Sequence, residues 1–330
     1  MISTSPPSRA LPSTDLRVVF AHAAYRLADR FALRATGIDH FQVSNLDDLR
    51  ARIGEADVLV VSGLWRNELI PLAPRLTLIQ SVSAGTDQYS RDALRAAGIR
   101  GASAQGVNER AVAEHAIALI LAIARKIPEA RDNQSARKWR PMMGDLSRRE
   151  DELGGKTVTI VGMGRIGSRL ATLCRAFEMD VTGVKRDVTK GVGAADRVLP
   201  HTQLLDAVAD ADFVVLTCPL TPESEGLVDM RVFAAMKPTA HLVNVARGKV
   251  VDEDALIAAL NAGTIAGAAL DTVREEPLPA TSPLWTLPNV LITPHSAGET
   301  RRYEDTVIDL LIENLDRIRR GERELRNQFV

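Results

Sequence analysis

Short runs of β-branched residues alternate with longer helical patterns along almost the whole chain. LRVVF at 16–20, VLVV at 58–61 and LTLIQS at 76–81 read as buried strands, with the helical stretches LDDLRARI and RDALRAAG between strands. A second series begins at Lys156 and carries the strands TVTIVG, DVTGV, DFVVLT, HLVNVA, AGAALD and VLIT. Parallel strands need a crossover, most often a helix, so this alternation dictates βαβ units and parallel sheets. At 330 residues the chain exceeds one ordinary domain, and two α/β domains are expected.

Between the two series lies AVAEHAIALILAIARKIPEARD at 111–132, read as one long helix. It is apolar around much of its circumference, which predicts burial at a domain junction or a subunit interface. A polar, Arg-rich stretch follows at 133–155, and a last helix is expected from about 300 to 320. Residues 1–14 are rich in Ser, Pro and Thr and lack the apolar stretch of a secretory signal, so they are expected to form a disordered tail.

Composition excludes several classes. Lys plus Arg number 41 against 42 Asp plus Glu, a net charge of −1. That balance argues against a nucleic-acid partner held by a general phosphate-attracting field. The longest unbroken apolar run, residues 116–124, has nine residues, whereas a bilayer span needs about 20, so no membrane association is expected. The two cysteines, Cys174 and Cys218, are too few for a disulfide scaffold and lack metal-ligand spacing. No metal is expected, and the setting is read as a reducing cytoplasm.

The segment KTVTIVGMGRIGSRLATLCRAF carries Gly162, Gly164 and Gly167 as G-x-G-x-x-G. A strand runs into the first glycine and a helical pattern runs out of it, the context that turns a weak motif into a dinucleotide loop. The first glycine permits the tight turn, the second lets a pyrophosphate approach the backbone, and the third allows close helix–strand packing. Dinucleotide sites that take NAD place an acidic residue at the end of the next strand, on the ribose 2′-hydroxyl. Here Lys185 and Arg186 stand there and Asp187 comes two residues late. Two cations attract a 2′-phosphate, so NADP(H) is expected in preference to NAD(H), with NAD(H) possible.

Three later strands end in polar residues: HLVNVA before Arg247 and Gly248, AGAALD before Glu275 and Glu276, and VLITP before His295, Ser296, Ala297 and Gly298. Ligands of open α/β sheets bind beyond the carboxyl ends of the strands, so an Arg, a Glu and a His are positioned to converge.

These segments resemble the D-isomer-specific 2-hydroxyacid dehydrogenases, nearest to glyoxylate/hydroxypyruvate reductases. The resemblance covers nearly the whole chain after the tail. It is carried by SVSAGTD (81–87), VAEHAIALILAIAR (112–125), GMGRIG (162–167), MKPTAHLVNVARGKVVDEDAL (236–256), ALDTVREEPLP (269–279) and SPLWTLPNVLITPHSAG (282–298). It implies two Rossmann-like parallel-sheet domains. A flavodoxin-like substrate domain (15–105 and 297–330) is interrupted by an NAD(P)-binding domain (106–296).

The resemblance also implies roles. Arg247, with its planar fork of donors, holds the substrate carboxylate and polarises the carbonyl. His295 is the general acid/base, and Glu276, the carboxylate directly before the proline, keeps it protonated near neutral pH. The backbone at Ser83, Ala84 and Gly85 is expected on the substrate carboxylate. Arg165 and Ile166 are expected along the pyrophosphate, Thr217, Cys218 and Pro219 on the adenosine side, Val245 and Ala246 on the nicotinamide side, and Asp271 and Gly298 among the cofactor contacts. Leu64 and Trp65 are candidates for closing the substrate pocket. Trp139 lies in an arm that reaches a partner's active site in related dimers, which implies a homodimer.

The implied reaction is NAD(P)H-dependent reduction of glyoxylate, hydroxypyruvate or a similar small 2-ketoacid. Formate dehydrogenases carry Gln at the place of Glu276, and phosphite dehydrogenases carry Lys in the 83–85 loop, so both are disfavoured. A phosphoglycerate dehydrogenase-type enzyme stays open, expected here without a C-terminal regulatory domain. So does a dinucleotide-sensing scaffold similar to the C-terminal-binding corepressors.

Overall fold

The computed structural model describes residues 9, 11, 12 and 15–330, with the side chains of Ser147 and Lys190 outside the description. The chain divides into two compact units. Unit 1 combines the described residues up to Asn108 with Glu299–Val330, and unit 2 is Glu109–Gly298.

Unit 1 starts with β1 (Arg17–Ala21), α1 (Leu27–Ala32), β2 (Asp39–Val43), α2 (Leu46–Arg52), β3 (Val58–Val61), β4 (Leu78–Ser81), α3 (Arg91–Ala96) and β5 (Arg100–Ala102). The sheet is parallel throughout, in the order β2-β1-β3-β4-β5. This is the flavodoxin-like arrangement. Side chains alternate between its faces. Val18, Phe20, Val58, Val60 and Leu78 join one buried cluster. Val19, Ala21, Leu59, Val61 and Ile79 join another. That two-sided burial is why the central strands read as continuous apolar runs.

Unit 2 begins with α4 (Glu109–Ala124), α5 (Ile127–Ser135), β6 (Thr157–Val161), α6 (Arg165–Ala176), β7 (Asp180–Lys185), β8 (Arg197–Pro200) and α7 (Leu204–Ala209). It continues with β9 (Phe213–Leu216), α8 (Met230–Ala235), β10 (His241–Asn244), α9 (Glu253–Ala262), β11 (Gly267–Leu270) and β12 (Val290–Ile292). The seven parallel strands run in the order β12-β11-β10-β9-β6-β7-β8. Read from β8, this is the doubly wound 3-2-1-4-5-6 order with a seventh strand, and its switch point lies between β6 and β9.

The single long helix expected at 111–132 is two helices. Lys126 adopts a left-handed backbone (φ +49°) and Pro128 sits in the first turn of α5. A proline there has no N–H to give and its ring would clash with the carbonyl one turn back in a continuous helix. The apolar face of α4 packs within unit 2, on α6 and the sheet: Ala113, Ala116 and Ile120 share a buried cluster with Leu170 of α6 and with Val158, Ile160 and Val243 of the sheet.

The chain returns to unit 1 through α10 (Tyr303–Arg319). Tyr303, Val307, Ile308, Leu311 and Leu315 complete the cluster around Val18 and Phe20. Each fully buried aliphatic side chain contributes about 2 kcal/mol. Asn314, fully buried, donates from Nδ2 to Gln80 Oε1 on β4 at 2.9 Å and accepts Arg326 N–H at 2.8 Å. Phe329 closes over Gly101, where a Cβ would lie 2.5 Å from its ring.

Within the expected tail, residues 1–8, 10, 13 and 14 lie outside the described residues. Arg9 and Leu11 depart from the expectation of disorder. The Arg9 guanidinium donates to the carbonyls of Ala73, Pro74 and Leu76, its N–H donates to Gly98 O, and Leu11 packs on the Val18 cluster.

Candidate active site

The glycine loop joins β6 to α6 at the switch point. Gly162 has φ +108°, and a Cβ on it would come within 2.6 Å of Cys218 N. At Gly167 a Cβ would lie 2.2 Å from Gly162 O and 2.9 Å from Thr217 Oγ1. Thr217 Oγ1 donates to Gly162 O at 2.7 Å, so the ends of β6 and β9 are pinned together. Gly164 differs: nothing lies within 4 Å of its Cβ position. The protein's own packing does not require a glycine there, whereas the close approach of a phosphate does. Ser168 N–H makes a helical bond to Gly164 O, so the N–H groups of Arg165, Ile166 and Gly167 stand ahead of it at the positive end of α6. These residues fit a dinucleotide.

Lys185 ends β7, and its Nζ donates to the carbonyl of Gly191; Arg186 is exposed. Asp187 caps the turn at 188–190, accepting from Thr189 N at 3.1 Å and from its hydroxyl at 2.6 Å. Burial pushes the Cys218 thiol up to about 11, which makes it a wall rather than a nucleophile. Val245 and Ala246, after β10, are buried.

Arg247, Glu276 and His295 follow β10, β11 and β12 in turn. Asn244, buried, shapes the first loop by accepting Ala246 N–H at 3.0 Å and donating to Arg247 O at 3.1 Å. Gly248 lets the first loop touch the second, since a Cβ would lie 1.9 Å from the carbonyl of Val273. Buried Glu253 holds the second loop by accepting Arg274 N–H at 2.9 Å. Glu276 then accepts Val273 N–H on Oε1 at 3.2 Å and meets His295 Nδ1 through Oε2 at 2.6 Å.

That contact sets the electrostatics. The Glu276 hydrogen bond, opposed by burial and by Arg247, raises the His295 pKa above the ordinary imidazole range. Burial pushes Glu276 up, but the His295 hydrogen bond and charge, with Val273 N–H and Arg247, outweigh it and leave the carboxyl below its ordinary range.

Asp271 is buried behind the His295 loop. Its side chain is 1% exposed. It accepts Thr293 Oγ1 at 2.6 Å, Ser296 N–H at 3.0 Å and Ala297 N–H at 3.1 Å, while its carbonyl accepts His295 N–H at 2.8 Å. The carboxylate holds the loop that carries His295. Gly298 ends unit 2 directly after it.

Residues 117–297 match the family model of the "D-isomer specific 2-hydroxyacid dehydrogenase, NAD binding domain". The chain belongs to the D-isomer specific 2-hydroxyacid dehydrogenases. It is 35% identical over 298 residues to glyoxylate/hydroxypyruvate reductase B of Yersinia pestis strain Pestoides F, covering 88% of each chain. To the glyoxylate reductase of Pyrococcus furiosus it is 36% identical, over 84% of this chain and 83% of that one. A solved family protein from Aeromonas salmonicida superposes with a TM-score of 0.84 at 28% identity, over 96% of this chain and 99% of the other. The dehydrogenase is therefore an NAD(P)-dependent oxidoreductase, and among the described residues no helix is long and apolar enough to cross a membrane.

The remaining expected substrate residues of this dehydrogenase divide. In unit 1, Ser83 N–H donates to Ser81 Oγ at 3.2 Å, whereas Ala84 and Gly85 N–H have no partner among the described residues. Trp65 is 1% exposed, with Nε1 donating to Asn67 Oδ1, and Leu64 packs on the same cluster. Trp65 is therefore core, because its ring fills the space beside Tyr89. Trp139 of unit 2 is 95% exposed.

His115, on the helix expected at a junction or interface and not singled out from the sequence, stands beside the His295 loop. Its Nε2 lies 3.0 Å from Thr293 Oγ1 and 3.5 Å from Asp271 Oδ1. A histidine breaking an otherwise apolar face was the available signal. Asn244 carried a similar one, as an amide inside HLVNVA.

Proposed function

We propose that the chain catalyses NAD(P)H-dependent reduction of small 2-ketoacids, glyoxylate and hydroxypyruvate first, to D-2-hydroxy acids. The observation that carries this reading is the 2.6 Å His295–Glu276 contact beyond the carboxyl ends of β11 and β12, in the sheet whose β6 bears the glycine loop. Its Nδ1 engaged by Glu276, His295 keeps Nε2 for the substrate. Arg247 binds the substrate carboxylate and draws electron density from the carbonyl oxygen. A dinucleotide held by the Gly162–Gly167 loop would supply the hydride that the carbonyl carbon accepts. His295 Nε2 gives its proton to the carbonyl oxygen, yielding the hydroxyl; in oxidation it takes that proton back.

Ala84 and Gly85 N–H groups are suited to a carboxylate, because a turn of small residues presents its donors without side-chain cover. NADPH is the preferred cofactor in this reading. Lys185 and Arg186 stand where an acidic residue would select NAD, and the Asp187 carboxylate is engaged by Thr189. A cytoplasmic homodimer completes it, supported by Trp139, Met142 and Leu146 exposed along the arm after α5. Light scattering of the purified protein tests the dimer, and a monomer rejects it.

The deciding experiment is a 2-ketoacid panel run with NADPH and NADH in parallel. Turnover of glyoxylate or hydroxypyruvate with NADPH is expected. A protein that binds NADPH and reduces no 2-ketoacid overturns the proposal in favour of a dinucleotide-sensing scaffold.

A further inference from the structure

His295 carries the proton in the proposed reaction, yet its backbone is unusual. Its φ of +53° is left-handed, a conformation that an L residue keeps only where its surroundings hold it. Asp271 and Thr293 supply the groups that hold it. Asp271 takes Ser296 N–H on Oδ1 and Ala297 N–H on Oδ2, and its carbonyl takes His295 N–H. Thr293, two residues before His295, donates its hydroxyl to Asp271 Oδ1 at 2.6 Å.

That last bond settles a hydrogen on another side chain. A hydroxyl has one hydrogen, and that of Thr293 is committed to Asp271. The 3.0 Å contact between Thr293 Oγ1 and His115 Nε2 is then a donation from the imidazole into the hydroxyl oxygen. The order is His115 Nε2–H to Thr293 Oγ1, and Thr293 Oγ1–H to Asp271 Oδ1. Each donor polarises the next, so the series binds more firmly than its separate members. His115 is on α4 and Thr293 follows β12, so the relay ties the His295 loop to a helix buried on the sheet.

We propose that His115 and Thr293 are positioning residues for His295. They act through Asp271 to keep the 293–297 turn in place and His295 Nδ1 on Glu276. The inference rests on the reading of His295 as the acid–base group. The charged and titratable groups facing His295 are Glu276, Arg247 and Asp271, and His115 faces Asp271 beside Thr293. Loss of the relay weakens the Glu276 contact, and with it the influence that keeps His295 protonated.

The test uses the full-length protein with NADPH and glyoxylate. Thr293→Val removes the hydroxyl at nearly constant shape, Thr293→Ser keeps it, and His115→Phe removes the ring donor. Thr293→Val and His115→Phe are expected to lower kcat at least about tenfold, as a displaced acid–base group does. NADPH Kd should stay within about twofold, a loss confined to the chemical step. The alkaline limb of the kcat–pH profile should move to lower pH, because His295 loses part of its anionic partner. Thr293→Ser should recover most of the lost rate. A role in packing alone lowers stability but leaves that limb in place. Wild-type kcat and pH limb in Thr293→Val, or equal loss in Thr293→Ser, overturn the proposal. If Thr293→Val does not fold, His115→Phe decides by the same criteria. His295→Ala is run beside them. Normal kcat there rejects the acid–base reading itself, whereas a large loss there with unchanged Thr293→Val and His115→Phe rejects only the relay.

Discussion

Nδ1 of His295 stands 2.6 Å from Oε2 of Glu276, and the two groups shift each other in opposite directions: His295 is raised and Glu276 lowered. The pair also defines a window of stability. The His295 share is fully present below the ordinary imidazole value of 6.5 and is lost as pH rises through the raised one. The Glu276 share is fully present above the ordinary 4.5 and is lost as pH falls through the lowered one. Both operate together between those two ordinary values.

Reduction needs the protonated imidazole, so kcat/KM falls as pH rises through the raised His295 value. Glu276→Gln removes the anion and moves that alkaline limb to lower pH. A pH–rate profile of the variant checks this, and an unmoved limb rejects the pairing as a source of the shift.

His295→Ala removes the proton donor and leaves the glycine loop untouched. A kcat loss of about 10²- to 10⁴-fold is expected, with NADPH binding retained. Single-turnover kinetics beside a fluorescence titration separates the two. Loss of cofactor binding in proportion to kcat points to a collapsed loop instead.

Local chemistry made much of this legible beforehand. The β6–loop–α6 unit reads directly, because glycine spacing and strand-to-helix periodicity sit within one stretch of chain. The strands β2 (DHFQV) and β8 (RVLP) did not read as strands, since both lie at sheet edges and carry polar or proline positions there. A three-residue β5 with a central glycine has too little pattern to detect. The break at Lys126 was signalled by Pro128, and the apolar run on α4 masked it. His115, Thr293 and Asp271 meet only through the fold: a histidine on an apolar face marks one member, and nothing in sequence joins it to the other two.

The two loop glycines make contrasting demands. Gly162→Ala places a methyl 2.6 Å from Cys218 N on a backbone at φ +108°, and a destabilisation of about 1–3 kcal/mol is expected. At Gly164 a methyl meets no protein atom within 4 Å, so Gly164→Ala should fold normally. It should nevertheless weaken NADPH binding at least about tenfold, roughly 1.4 kcal/mol, because the methyl occupies the space a phosphate needs. Thermal melts and NADPH titrations of both variants distinguish the cases. Wild-type affinity in Gly164→Ala removes that glycine from the phosphate site.

Asn314 joins α10 to β4 and to the chain near Arg326. Asn314→Leu keeps the volume but strands Gln80 Oε1 in the interior and takes the acceptor from Arg326 N–H at the surface. Each buried group left without a partner costs about 1–3 kcal/mol. Urea unfolding is expected to begin at clearly lower denaturant, and an unchanged midpoint means that water replaces the amide at both positions.

In the proposed NADPH-preferring reading, cofactor choice turns on a single exposed guanidinium more than on its neighbour. Lys185 Nζ is engaged by the carbonyl of Gly191, whereas Arg186 lies exposed at the end of β7. Arg186 is thus the cation placed to meet a 2′-phosphate with a bidentate fork. Charge-assisted bonds of this kind contribute about 1.5–3 kcal/mol, so Arg186→Ala should lower kcat/KM for NADPH roughly 10- to 150-fold. NADH lacks the phosphate and should lose no more than about threefold, since the substitution removes nothing that it contacts. Lys185→Ala should fall between the two, because its nitrogen has to leave Gly191 O before it reaches the ligand. Parallel steady-state kinetics with both cofactors measures the ratio. Equal losses for NADPH and NADH in Arg186→Ala place the 2′-phosphate contact elsewhere, and a wild-type preference for NADH removes the need for it.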